Sequence, residues 1–211
     1  MNANRLVNQT LLSEWIPNDI VEIAALAQHY GLPTRLLDWS YDLNVALYFA
    51  SFNALRKALK NDNTYQSEYI VIWVLSIREI DNLVGLNIIR DFPLKFVVPD
   101  YYGNPNLNAQ KGVLTYWKEP KSKDMNMFEK VANKKPLEQL IKDYDDSGIN
   151  EKFKPESIMT KFLIPSKESL KIATYLYNIG YNAARLFPGY KGISLSMEEE
   201  KMINKARDSL K

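Results

Sequence analysis

The chain of 211 residues contains no cysteine and a single histidine. The missing thiols exclude a disulfide framework, a thiolate zinc site and a cysteine nucleophile, and they suit a reducing compartment. One histidine excludes any metal site built on paired imidazoles, which leaves open only a carboxylate Mg²⁺ site, so no metal is expected. No apolar run approaches the roughly 18 to 20 residues that span a bilayer. Met1 to Pro17 is polar, carries Glu14, and lacks the basic start and apolar centre of a secretory leader. A cytoplasmic location with no membrane partner is the expectation. An excess of one charge is absent too: 27 basic and 25 acidic residues leave a net charge of +2. That balance disfavours nucleic acid as a partner, despite the lysines between Lys118 and Lys123. There is no phosphate loop ending in Gly-Lys-Ser/Thr and no serine nucleophile elbow.

What the sequence does have is core-forming material. Hydrophobic residues make up 46%, and the 13 Tyr, 8 Phe and 4 Trp are enough to fill a mixed interior. Asn18 or Asp19 is placed to cap a helix with Ile20, Ile23, Ala24 and Ala27 on one face, ended by Gly31 and Leu32-Pro33. Thr34 to Trp39 reads as extended. Ser40 or Asp42 caps a second helix reaching about Leu59, with apolar residues at helical spacing. Tyr69 to Ile77 is nearly all apolar, so a strand buried on both faces is expected. Arg78 to Gly85 reads as a short helix or turn, Leu94 to Val98 and Gly112 to Trp117 as strands, and Pro99 to Asn108 as a loop. Asp124 to Lys135 is polar and weakly periodic, the pattern of a mobile surface segment. Pro136 opens a helix to Tyr144. Met159 to Ile164 is a strand, and a helix follows from Ser166 or Lys167 to Gly180. Arg185 to Gly192 is irregular, and Ser196 caps a charged C-terminal helix in which Glu198-Glu199-Glu200-Lys201 forms a solvated face. The irregular alternation, without sustained βαβ spacing, gives an α+β fold. The expected form is a single compact domain whose mixed or antiparallel sheet is flanked by helices.

One polar cluster stands out: Gln28-His29-Tyr30-Gly31-Leu32-Pro33-Thr34-Arg35-Leu36-Leu37-Asp38-Trp39-Ser40. It gathers the only histidine, an arginine and an aspartate around a Gly/Pro turn. As a site, it would use Arg35 to hold an anion and His29, at a helix C-terminus, to donate a hydrogen bond. As scaffold, Arg35 would satisfy turn carbonyls, Asp38 would cap the next helix and Trp39 would be core. Asn108-Ala109-Gln110-Lys111-Gly112 could present the Gln110 amide into a cleft or be a surface turn. Leu186 to Gly192, with Pro188 and two glycines, reads as a packing connection.

The stretch from Ala24 to Ser40, followed by Val45-Ala46-Leu47-Tyr48-Phe49-Ala50, resembles the FRG domain, a bacterial and phage-associated family named for a Phe-Arg-Gly motif. The strand Val71 to Leu75, Ala109-Gln110-Lys111-Gly112, and Ile179-Gly180 through Leu186-Phe187-Pro188 to Gly192 follow in the family's order. The resemblance thus implies an FRG-like domain over 18–195, with an N-terminal extension at 1–17 and a C-terminal helix at 196–211. The Phe-Arg-Gly motif itself is missing: Arg5 is the sole arginine before Arg35, and Leu follows it. Either the chain begins inside a longer domain or it is a shortened member. The family's motif order is similar to that of ADP-ribosyltransferases, in which an arginine on the first strand holds the phosphates of NAD⁺ and a late strand supplies a glutamate. By that analogy a cleft would bind or use NAD in a phage-defence or toxin setting, with Gln110 at the glutamate position. The ligand-binding candidates are His29, Thr34, Arg35, Asp38 and Gln110, with no catalytic residue assigned. The competing expectation is a non-enzymatic module that binds a protein partner through an apolar surface patch. Whether the domain is an enzyme stays open at this point.

Overall fold

The strand between residues 112 and 117 shows how the sequence sets the architecture. Gly112-Val113-Leu114-Thr115-Tyr116-Trp117 is buried over its first five residues, as expected of a strand covered on both faces. The computed structural model describes residues 21–60, 68–89, 92–98, 104–118, 135–146 and 153–209. In chain order these form α1 (Val21–His29), β1 (Leu37–Ser40), α2 (Leu43–Leu59), β2 (Tyr69–Leu75), α3 (Ile77–Gly85), β3 (Leu94–Val97), α4 (Pro105–Ala109) and β4 (Gly112–Trp117). They continue with α5 (Leu137–Asp146), α6 (Pro155–Ile158), β5 (Met159–Pro165), a 3₁₀ turn (Ser166–Glu168), α7 (Ser169–Asn178), α8 (Ala183–Leu186) and α9 (Tyr190–Asp208). One sheet has the order β1-β4-β3; the other pairs β2 with β5. β3 runs antiparallel to β4 in the register Leu94 to Trp117 through Val97 to Leu114. The fold is α+β.

The chain divides into two compact units: residues 1–38, 75–99 and 114–160 in the first, and 39–74, 100–113 and 161–211 in the second. In the first, Val21, Ala25, Leu36, Leu114 and Tyr116 form a buried cluster, which packs α1 and the segment after it against β4. A second knot in that unit is aromatic. The ring of Phe92 meets Trp117 at 5.6 Å, Tyr144 at 5.3 Å and Phe153 at 6.1 Å between centroids, in edge-on or tilted contacts. In the second unit, Val45, Tyr48, Phe52 and Leu55 of α2 pack on Ala173 and Leu176 of α7, Leu186 of α8, and Ile203 and Ala206 of α9. Their three- and four-residue spacing along each helix is what creates these faces.

Four sequence expectations change here. The buried face of α1 carries Val21 and Ala25, while Ile23 is exposed. β2 alternates buried and open positions, with Ile70 and Ile72 inward, because a two-stranded sheet covered on one side needs only one apolar face. Part of the stretch expected as a loop is the short helix α4, capped by the side chain of Asn104 on the N–H of Leu107 at 3.0 Å. The last helix begins at Tyr190 instead of at Ser196, which is buried within it, and Glu199 is buried with it. Its carboxylate accepts from the Tyr48 hydroxyl and, at 2.9 Å, from the N–H of Ala183. The expected N-terminal extension at 1–17 and residues 124–134 of the polar segment lie outside the described residues.

Candidate functional site

The turn after α1 is built by its own sequence. Gly31 sits at φ 84°, a conformation glycine adopts without strain. Its N–H reaches Gln28 O at 2.9 Å and the Leu32 N–H reaches Ala27 O at 3.0 Å, the paired bonds of a Schellman stop. Pro33 cannot continue a helix. Leu36 is buried in the first unit's core and draws the chain back along α1.

Three side chains lock this return. Thr34 Oγ1 donates to Gln28 Oε1 and accepts from the Leu36 N–H at 3.2 Å. Gln28 Nε2 donates to Asp38 Oδ2 at 2.9 Å. Asp38 is open to solvent as a residue, yet its carboxyl is held partly out of water. That desolvation raises its pKa above the ordinary carboxylate value, against the lowering effect of the Gln28 bond. His29 closes α1 and is exposed, its ring edge-on to Tyr30 at 5.3 Å. Arg35 is half-buried and already engaged by a neighbour. The first unit therefore brings His29, Thr34, Arg35 and Asp38 into one short segment. Gln28 is the hub that sequence reasoning did not rank as a site residue. Its signal was position alone: a helix-end amide facing a chain that doubles back.

Gln110 belongs to the second unit, where it has a bracing role. Its Nε2 donates to Leu186 O at 3.1 Å, and its own carbonyl accepts from Ser40 Oγ at 2.7 Å. Beside it Lys111, at φ 46°, reaches Asp42 Oδ2 at 2.9 Å. Asp42 caps α2 through the Asn44 N–H at 3.0 Å and also accepts from the Tyr181 hydroxyl at 2.8 Å. Burial raises the Asp42 pKa, but the bonds from Lys111, Tyr181 and Asn44 outweigh it and hold the carboxyl below its ordinary value. Capping of α2, expected of Ser40 or Asp42, falls to Asp42, and Asp38 has no part in it. The Arg185 guanidinium lies over the Tyr181 ring at 4.0 Å. Three separate stretches, around Ser40, Gln110 and Leu186, are thus tied together by hydrogen bonds.

Residues 3–59 match the family model of the FRG domain. The FRG match runs to the end of α2 and includes the turn from Gln28 to Ser40; Gln110 and residues 179–192 lie beyond it. No curated protein and no solved structure matches the chain. Within the FRG-matching segment, an anionic ligand could be met by Arg35 and His29. Among the described residues no group of three His, Asp or Glu side chains could hold a metal ion, and no helix is long and apolar enough to cross a membrane.

Proposed function

We propose that the FRG-matching segment is a recognition module for a protein partner, engaged through the outer face of α1 and the turn that follows it. One observation carries this reading: α1 is apolar on two sides. Val21 and Ala25 are buried, yet Ile23, Leu26 and Tyr30, three and four residues apart on another face, are 64%, 55% and 76% exposed. Leu32 and Leu37 extend that exposed apolar surface into the turn. A helix apolar all round normally buries both faces, and a large apolar surface beside polar side chains is the make-up of an interface core with its rim. His29 and Arg35 supply the polar rim, and an aromatic and an arginine are the residue types that anchor interfaces. The test is site-specific photocrosslinking from position 30 in cells that produce the chain, with position 191 on α9 as control. A discrete adduct at 30 that Leu26→Glu abolishes supports the module. Equal adducts at both positions refute it.

A second reading is NAD binding at the same turn. It draws on the grouping of Arg35, His29 and a carboxylate of raised pKa in one braced segment, a combination common at ligand sites. Calorimetric titration of NAD⁺ into the chain, with Arg35→Ala and His29→Ala alongside, decides it. Saturable binding weakened by either change supports the reading; no binding, or equal affinity in all three, removes it.

A further inference from the structure

In the second unit, the C-terminal half of α2, the start of β2, the 3₁₀ turn leading into α7 and the end of α9 enclose a groove of about 750 Å³. That size is within the range of small-molecule sites. Its walls are divided chemically. Leu55, Ile70, Leu170 and Ala206 give an apolar side, while Lys57, Lys167 and Lys205 give three cations, and among the described residues no Asp or Glu lines it. Glu168, between the lining residues Lys167 and Ser169, is held by Lys171 at 3.0 Å.

The groove also meets the start of α7, a helix of ten residues whose N-terminus has no side-chain cap. The Ser169 N–H is taken by Ser166 O of the 3₁₀ turn, so what this start offers an anion is the helix dipole. By itself that would carry little. The second, independent feature is Ser169, the first residue of α7: it lines the groove, is 97% buried, and its Oγ has no hydrogen-bond partner. Buried hydroxyls nearly always have partners, so one left open beside three lysines and a helix start points to an acceptor that arrives from outside.

We propose that this groove binds a phosphate monoester, its dianion held by Lys167, Lys205 and the start of α7, and its apolar or aromatic body lying along Leu55 and Leu170. Ser169 Oγ donates to one phosphate oxygen, which satisfies the hydroxyl. Lys57 closes the cationic side. This site is in the second unit and does not depend on the module proposed for the first.

The experiment is calorimetry on the whole chain with AMP and with inorganic phosphate as probes, alongside sedimentation with vesicles containing phosphatidic acid. Variants are Lys167→Glu, Lys205→Glu and Ser169→Ala, each checked by circular dichroism for an unchanged melt. The expected result is saturable AMP binding that weakens about tenfold or more with either charge reversal and by a smaller factor with Ser169→Ala, and that falls as salt rises. Vesicle binding without AMP binding, lost in the same variants, would identify the monoester as a lipid headgroup. Absence of binding in every arm overturns the proposal. So does binding that both lysine reversals leave unchanged. Should AMP or NAD⁺ bind and respond to Arg35→Ala but not to Lys167→Glu, the ligand belongs to the α1 turn and the groove is not its site.

Discussion

Glu199 offers the sharpest test of the architecture, because its carboxylate is buried at 4% exposure in a helix face that its sequence marks as solvated. It accepts from the hydroxyl of Tyr48, itself buried, and from the N–H of Ala183 at 2.9 Å. Glu199→Ala leaves both donors buried without an acceptor, at about 1 to 3 kcal/mol each, so a loss of roughly 4 kcal/mol is expected. For a chain of this size that corresponds to a fall in Tm of about 8 to 16 °C. Glu199→Gln is milder: its oxygen can take the Ala183 N–H while the Tyr48 hydroxyl turns to accept from the new amide, so a loss nearer 1 kcal/mol is expected. The pH dependence has a definite sign. Burial raises the Glu199 pKa above its ordinary 4.5, against the lowering effect of its two hydrogen bonds and of Arg56. Between 4.5 and the raised value the folded state binds more protons than the unfolded chain, so stability falls as pH rises through that window. The glutamine variant lacks this loss, and wild type should therefore lose ground to it as pH rises from 4.5. Thermal melts by circular dichroism over a pH series measure both effects. An alanine variant that melts with wild type, or a wild-type-to-glutamine difference that is flat with pH, would refute the reasoning.

Gly192→Ala should cost about 3 kcal/mol, since an added Cβ meets the Phe187 carbonyl oxygen and, at 2.8 Å, that of Ala183, neither of which can swing aside. Gly85→Ala in α3 meets nothing within 4 Å and should be neutral or stabilising by about 0.5 to 1 kcal/mol, so parallel urea titrations separate close approach from loss of glycine as such. Asp42→Ala removes a helix cap and should cost about 1 kcal/mol near neutrality. Because the Asp42 pKa is lowered, its contribution is present above the ordinary 3.8 and is lost as pH falls through the lower folded value; an Ala variant whose deficit does not shrink in acid would contradict this. Gln28→Ala removes the bond that lowers the Asp38 pKa, so the Asp38 carboxyl should titrate at a still higher pH by NMR, and a downward shift would count against the bridge.

Much of the local structure was legible because its causes are local. Gly31 with Pro33 dictates a helix stop, Ser40 or Asp42 a helix start, and the run at 112–117 a strand. The roles of Glu199 and Gln110 were hidden for one physical reason, a partner distant in sequence. Tyr48 lies 151 residues from Glu199, and nothing in Glu198-Glu199-Glu200 states which carboxylate will meet it. A signal existed in the spacing of the buried positions Gly192, Ser196, Glu199, Ile203 and Ala206, four and three residues apart, but small and polar residues hide that stripe from a hydrophobic pattern. The same separation hid the role of Gln110, whose amide serves a carbonyl 76 residues away. Within the FRG-matching turn the division is more informative still. Gln28, Gly31, Thr34, Leu36, Asp38 and Ser40 each have a folding role: a bridge, a left-handed stop, a core anchor or a brace. His29, Tyr30, Leu32 and Leu37 have none that requires their identity, and all four are exposed. Water gives no reason to place one tyrosine, two leucines and the chain's only histidine on a braced turn, and the protein partner proposed above would supply one. The scaffold of this motif accounts for Gln28, Thr34, Asp38 and Ser40, and what it displays is mainly apolar.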